Sequence, residues 1–436
     1  FEMTSVMSLE SGWTSPALAI LLSPASPIPT SEIDASWIVS LLGIGRAVGS
    51  LIGTIEVEIF GSKTTVLHVG FMQVLGLLLL GAADTVILIQ ISRFISGVAS
   101  GMLLIAFPLY MGEISNPKIR GALIGFASSG RAIGYVCGNL TGAYMSILDF
   151  VILPLVLSVL FIITFYWLPK SPHYLALKDK AEEAGAAIMW YQRDADIKKD
   201  LESLLQFIKA NQQMSFKEVL DVFMLPHNRT ALINVVIIHI LIQASGHVVV
   251  GAYTEIILTQ AQVTFIPVAL AVAISSCAAP IGSIMAMFTI DRFGRKIVMV
   301  MSTLGLAVCL SAMSIHFQLL ETGWIQPEHL QWLMLTATIM LEVTINLGLL
   351  PVPSTIVSEI FAPNIKSYSS CIVNVVAGLS GFVVMLTYQM LVDVIDFYIY
   401  FVYAGCMVVL AVFTIFMLPE TKGKSLQEIQ TMLMKK

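Results

Sequence analysis

The stretch FTIDRFGRKIVMV, residues 288–300, decides how the chain is read. Four of the six residues from Asp291 to Lys296 are charged, and apolar runs flank them on both sides. An earlier stretch, EIFGSK at 58–63, repeats DRFGRK at 291–296 in outline. An acid, a phenylalanine, a glycine and a final cation fall in the same places. A chain that avoids charge has concentrated it in two short turns, each with a glycine that permits a tight reversal.

Composition explains why charge is scarce elsewhere. The chain has 436 residues, of which 57% are apolar and only 12% charged. Its mean hydropathy is +0.87. A globular protein is about a quarter charged. A membrane helix needs about 20 largely apolar residues, and such runs recur along the whole sequence. The net charge of −5 leaves no basic footprint for nucleic acid. Cys137, Cys277, Cys309, Cys371 and Cys406 all fall in apolar runs without a CxxC, and read as small buried hydrophobes rather than disulfides or metal ligands.

The periodicity predicts an all-α integral membrane protein with spans near 1–20, 36–55, 64–83, 86–111, 121–145, 149–168, 231–258, 265–289, 297–317, 332–358, 366–391 and 395–418. The chain begins at Phe1 in sequence that is already apolar, with no basic stretch before it. That predicts a truncated first helix and no signal peptide. Of the 23 lysines and arginines, all but Arg46, Arg93 and Arg131 fall on one side of these spans, and the opposite connections hold only acids, such as Glu32, Asp84, Glu321 and Asp393. The positive-inside rule puts the basic side in the cytosol. There the residues 169–230 are read as a linker of short amphipathic helices between two halves, and 419–436 as a tail. Asn228 opens an NRT sequon, which the cytosolic placement discounts.

More echoes support the division. PLYMGEISNPKIRG from Pro108 carries Glu113, Pro117 and Arg120 at a spacing that Glu359, Pro363 and Lys366 repeat in PSTIVSEIFAPNIKSY from Pro353. WLPKSP at 167–172 returns as MLPETK at 417–422. The order is the same in both halves. This predicts two parallel six-helix bundles, 1–168 and 231–418, an architecture found among transporters.

Six motifs in order carry a family resemblance: GWTSP (12–16), PLYMGEISNPKIRG (108–121), LPKSPHYL (168–175), DRFGRK (291–296), SEIFAP (358–363) and PETKGKSLQEI (419–429). Together they resemble the sugar porters of the major facilitator superfamily, and GWTSPAL with RGALIGFASSGRAIG is most similar to insect facilitative trehalose transporters. The resemblance covers nearly the whole chain. It implies facilitative transport of a trehalose-like or hexose-like sugar by alternating access, with no cofactor, across the plasma membrane. It also implies a cytosolic gate in which Arg292 and Arg295 pair with Glu359, joined by Glu113, Arg120, Asp291, Gly294, Lys366 and Glu420. The N-half turn departs from the family's pattern, since Ile59 and Ser62 replace two arginines.

The substrate residues implied are Gln243, Ser245 and Tyr253 in span seven, Ser128 and Arg131 in span five, and Pro351 and Pro353 in span ten. Departures accompany them: Val248 stands for an asparagine, Ser128 for a glutamine, Ser354 for a tryptophan, and an asparagine expected near Ala377 is displaced one turn to Asn374. The chain also adds Arg46, Glu255 and Glu342 within spans, where ionisable residues face a cavity or a partner. The two readings are an altered site for an anionic solute, or internal salt bridges of Arg46 or Arg131 with Glu255 or Glu342. Arg93 resembles the family's fourth-helix arginine, His239 reads as a satisfied interior histidine, and Glu10 is the one acid placed for proton coupling. Two further functions stay open on the same fold, an organic-anion carrier and a non-transporting sensor. The partners expected are a small solute and the lipid bilayer, with no nucleic acid and no nucleotide. The chain is not read as an enzyme, because no GxSxG, HExxH or P-loop occurs.

Overall fold

In lipid every backbone amide must find its partner inside its own segment, so long apolar runs become helices. The computed structural model describes residues 1–115, 117–192, 196–210, 216–323, 325–424, 428 and 432. The first six crossings are single helices: α1 (Glu2–Leu21), α2 (Glu32–Phe60), α3 (Ser62–Gly81), α4 (Val86–Ile114), α5 (Pro117–Tyr144) and α6 (Ile147–Tyr166). Four short helices follow, α7 (Pro172–Leu177), α8 (Ala181–Tyr191), α9 (Ile197–Ala210) and α10 (Phe216–Met224). The second six crossings are less regular. Span seven is α11 (Pro226–Gln243) and α12 (His247–Gln260), and span eight is α13 (Val268–Ser276) and α14 (Ala279–Phe293). Span nine is α15 (Arg295–Thr322). Span ten joins α16 (Pro327–Thr344) to α17 (Pro351–Ile360) through a π-helical piece, Ile345–Leu349. α18 (Pro363–Ile395) and α19 (Ile399–Met417) complete the chain.

Nine stretches of the described residues are long and apolar enough to cross a membrane by length and composition alone. One of them, 364–417, holds both α18 and α19. The sequence reading of unbroken spans is corrected in spans seven, eight and ten. Gly246 interrupts the first with φ +66, Pro280 starts α14 in the second, and Pro351 and Pro353 force a restart in the third. Asn228 also moves from the linker into the buried start of α11, where its side-chain amide donates to the Val222 carbonyl at 3.0 Å.

Within the first half α1 packs on α5, α2 on α4, and α3 on α4 and α6. In the second, α15 packs on α16 and α19, and α11 on α18. Small residues let these helices approach closely: a Cβ on Gly49 would meet the Val98 carbonyl oxygen at 2.0 Å. Polar caps mark some ends. Ser31 and Asp34 form a reciprocal capping box at the start of α2. The outer side of α6 presents Ile152, Val156, Leu160 and Ile163 to the surroundings, as a lipid-facing helix should.

The two charged turns adopt one geometry. Gly61 has φ +86 and ψ 160, and Gly294 has φ +92 and ψ 163. Both lie in a region that L residues rarely enter. A Cβ on Gly294 would also sit 2.6 Å from the Glu420 carboxylate. Gly294→Ala is expected to cost about 1–3 kcal/mol, and a lowered thermal midpoint of the detergent-solubilised protein would show it. An unchanged midpoint would refute the strain argument.

The linker helices form a small core of their own, with Leu175, Ala184 and Ala187 against Leu201 and Leu205. Tyr191 ties this layer down. Its hydroxyl donates to the Pro169 carbonyl at 2.7 Å and meets Tyr110 of α4 at 3.1 Å. Burial pushes the Tyr191 phenol above its ordinary value, so it stays a neutral donor.

Candidate functional site

A cavity of about 310 Å³ lies between the halves. Its wall is built from Ser8 and Ser11 of α1, Arg131 and Tyr135 of α5, His247, Val248 and Gly251 of α12, Ser283 of α14, and Glu342 and Asn346 of span ten. Spans seven, eight and ten are the broken ones, and all three reach this wall. Breaking a helix there is tolerable because the irregular backbone is enclosed by protein or faces a cavity.

The residues singled out in the sequence divide into several groups. Arg131 lines the cavity. Ser245 serves the break in span seven, where its hydroxyl donates to the Ile242 carbonyl at 2.7 Å and accepts from the His247 amide at 3.2 Å. Gln243 closes α11. It is buried, its amide oxygen has no hydrogen-bond partner among the described residues, and it faces Gly381 of α18. Tyr253 is buried against Tyr388, with ring centroids 5.1 Å apart. Pro351 and Pro353 open α17, with Pro353 buried. The side chains of Ser128 and Arg120 lie outside the described residues.

Sequence reasoning missed Ser8, Ser11, Tyr135, His247, Ser283 and Asn346 as wall residues. The glycine and proline interruptions of spans seven and ten were the signal that could have found two of them, His247 and Asn346.

The intramembrane charges correct the expected pairings. Arg46 meets no acid among the described residues: its guanidinium donates to the Asn374 side-chain oxygen at 3.2 Å, across the two halves. Arg93 and Glu10 form a buried ion pair at 3.1 Å, Gln73 donates to Glu10 at 2.7 Å, and Arg93 also donates to the Thr14 hydroxyl. Glu255 has its backbone amide held by the Ser15 hydroxyl at 2.9 Å. His239 bonds the Val235 carbonyl one turn back.

The halves are tied on the side away from the linker. Asn139 of α5 donates to Ser276 of α13 at 3.0 Å, and Gln389 of α18 donates to Glu32 of α2 at 3.2 Å. On the linker side the described ion pairs stay within one half. Arg295 meets Glu359 at 2.9 Å and Asp291 at 3.3 Å. The Glu420 carboxylate accepts the backbone amides of Arg295 and Lys296 at 3.0 and 3.1 Å, an anion placed at the start of α15. Thr421 donates to Glu359. Arg292 does not reach Glu359. Its guanidinium lies over the Phe293 ring, and its carbonyl accepts from Lys422. In the first half, Ser62 stands at the place of Arg295 and donates to Glu113, which also lies 3.7 Å from His173. Lys366 occupies the first turn of α18.

A family model described as "Sugar (and other) transporter" matches residues 5–433. The chain belongs to that family. It is accordingly a multi-pass membrane transporter and not an enzyme. A "Facilitated trehalose transporter Tret1-2 homolog" of Drosophila simulans is 27% identical over 435 residues, covering 98% of this chain and 88% of the relative. A "Facilitated trehalose transporter Tret1" of Culex quinquefasciatus is 26% identical, covering 98% and 82%. Among solved structures, the major facilitator proton:xylose symporter XylE bound to 6-bromo-6-deoxy-D-glucose matches with a TM-score of 0.78 at 18% identity, over 99% of this chain and 98% of that one. The inward-open form of XylE from E. coli gives 0.77 at 19% identity, with the same coverage. The likeness at that identity is one of fold, and it agrees with twelve helical crossings.

Proposed function

We propose that the chain is a facilitative carrier for a trehalose-like or hexose-like sugar, working by alternating access. The observation that carries this is the central cavity, whose wall is drawn from both halves and from the three broken spans. Bundles 1–168 and 231–418 are read as the two rocking bodies, 169–230 and 419–436 as cytosolic because the basic residues gather on that side, and the membrane as the plasma membrane, as the family resemblance implies. The bonds between Asn139 and Ser276 and between Gln389 and Glu32 close the far side, so the cavity is read as open toward the cytosol. The linker-side cluster of Asp291, Gly294, Arg295, Glu359 and Glu420 is the gate on the second half. Its partly wet ion pairs suit a lock that must open, since each is worth only about 0–1 kcal/mol.

Gln243 is the residue we assign to the sugar: it does not line the cavity in this state, but its buried amide oxygen has no partner among the described residues, a costly feature that a ligand hydroxyl would satisfy. Uptake of labelled glucose and trehalose into vesicles tests the reading. Saturable uptake is expected, with Gln243→Ala lowering it about tenfold, the value of one lost substrate hydrogen bond of roughly 1.4 kcal/mol. No uptake of either sugar by membrane-inserted protein would overturn the sugar assignment.

A further inference from the structure

Three arginines sit inside the spans, and two of them have partners: Arg93 holds Glu10 and Arg46 holds Asn374. Arg131 has none among the described residues. It projects from α5 into the central cavity with its side chain exposed there. Across the same cavity Glu342 of α16 enters from the other half, and its carboxylate also has no hydrogen-bond or ion-pair partner among the described residues. Tyr135, one turn beyond Arg131, lines the same cavity as Glu342. One cavity of about 310 Å³ therefore holds two unlike charges, one from each half, with space between them.

We propose that Arg131 and Glu342 form a charged clamp that reads the hydroxyls of a neutral sugar from opposite sides. The inference rests on the sugar-carrier reading above. Both groups are wet while the cavity is open. When the halves close, water leaves, and each charge needs a new partner. A sugar hydroxyl supplies one to either group: it accepts from a guanidinium and donates to a carboxylate, and bonds to an ionised group are the stronger kind. The clamp takes over from the amide and indole groups absent at Val248 and Ser354. It also rejects. A sugar carboxylate that satisfies Arg131 brings a like charge toward Glu342, and a sugar ammonium does the reverse, so either singly charged analogue is disfavoured. Neutralising one member leaves a cavity of a single sign, which then favours the opposite sign of solute.

The test uses the full chain in proteoliposomes with a neutral hexose, the corresponding hexuronate and the corresponding hexosamine. Wild type is compared with Arg131→Gln and Glu342→Gln. Wild type is expected to prefer the neutral hexose at least tenfold over each charged analogue. Glu342→Gln is expected to shift the uptake ratio at least tenfold toward hexuronate, and Arg131→Gln at least tenfold toward hexosamine. Unchanged ratios, or shifts of the same sign in both variants, would overturn the clamp. If a variant does not insert, competition on wild type decides alone: equal inhibition of hexose uptake by all three sugars overturns the proposal, and weaker inhibition by both charged analogues supports it. Absence of neutral-hexose uptake in wild type is a different failure, because it removes the sugar-carrier reading itself.

Discussion

Arg93→Leu is expected to leave little folded protein. Arg93 is 1% exposed and Glu10 is 3% exposed, so the pair is held almost entirely out of solvent. The guanidinium meets the carboxylate at 3.1 Å, donates to the Thr14 hydroxyl, and lies 5.8 Å over the Trp13 ring. Gln73 donates to the same carboxylate from α3. Three helices of the first half are therefore joined through one charge pair. Removing one partner of a buried pair costs about 3–5 kcal/mol, because the other charge is left without compensation. That is a large fraction of a typical total stability of about 5–15 kcal/mol. The measurement is the fraction of monodisperse protein extracted from membranes, which should fall several-fold. The double variant Arg93→Leu, Glu10→Leu separates causes. It removes both charges, so it should recover part of the loss. A double variant no better than the single one would show that packing around Trp13, and not the orphaned carboxylate, sets the cost.

Much of the architecture was legible in the sequence because the membrane imposes coarse rules. The count of apolar runs agrees with the twelve helical crossings, and the echo of EIFGSK in DRFGRK returns as matching turns at Gly61 and Gly294. Short linker helices followed from alternating charge and apolar spacing in 178–208, where α8 and α9 form. What hydropathy does not encode is continuity. Val249 and Ile242 are equally apolar, yet the chain breaks between them, because a single left-handed glycine outweighs the average character of the run. The candidate site suffered more. Arg46 was sought beside an acid, but helix α18 places Asn374 opposite it, and only the crossing of two helices from different halves decides that. Glu342 and Arg131 were visible as charges within spans. That they share one cavity without pairing depends on how α5 and α16 face each other, which no local pattern records.

Gly378→Val is expected to lower transport at least a hundredfold while leaving most of the protein monodisperse. α2 and α18 belong to different halves and cross at a pair of glycines. A Cβ on Gly378 would lie 2.7 Å from the Gly43 carbonyl oxygen and 2.9 Å from the Ala47 amide nitrogen, and both are backbone atoms that a rotamer change cannot move. The next turns of the same crossing carry the Arg46 bond to Asn374 at 3.2 Å and the Cys371 thiol against the Ser50 carbonyl at 3.5 Å. A branched side chain at 378 must separate the helices by about an ångström or more, since interiors packed this closely leave no slack. The core of each half does not pass through this point: α2 still packs on α4, and α11 on α18. Stability should therefore fall less than function. Alternating access requires the halves to pivot while staying in contact, and this crossing sets backbone of α2 directly against backbone of α18. Gly405→Val is the control, because nothing lies within 4 Å of a Cβ there, and it should transport normally. Equal transport by the two valine variants would mean that the halves turn about some other contact. A Gly378→Val protein that aggregates while Gly405→Val does not would place the glycine crossing in the fold itself. The selective loss of transport is expected because the strain falls on the interface that must move, not on the bundles that it joins.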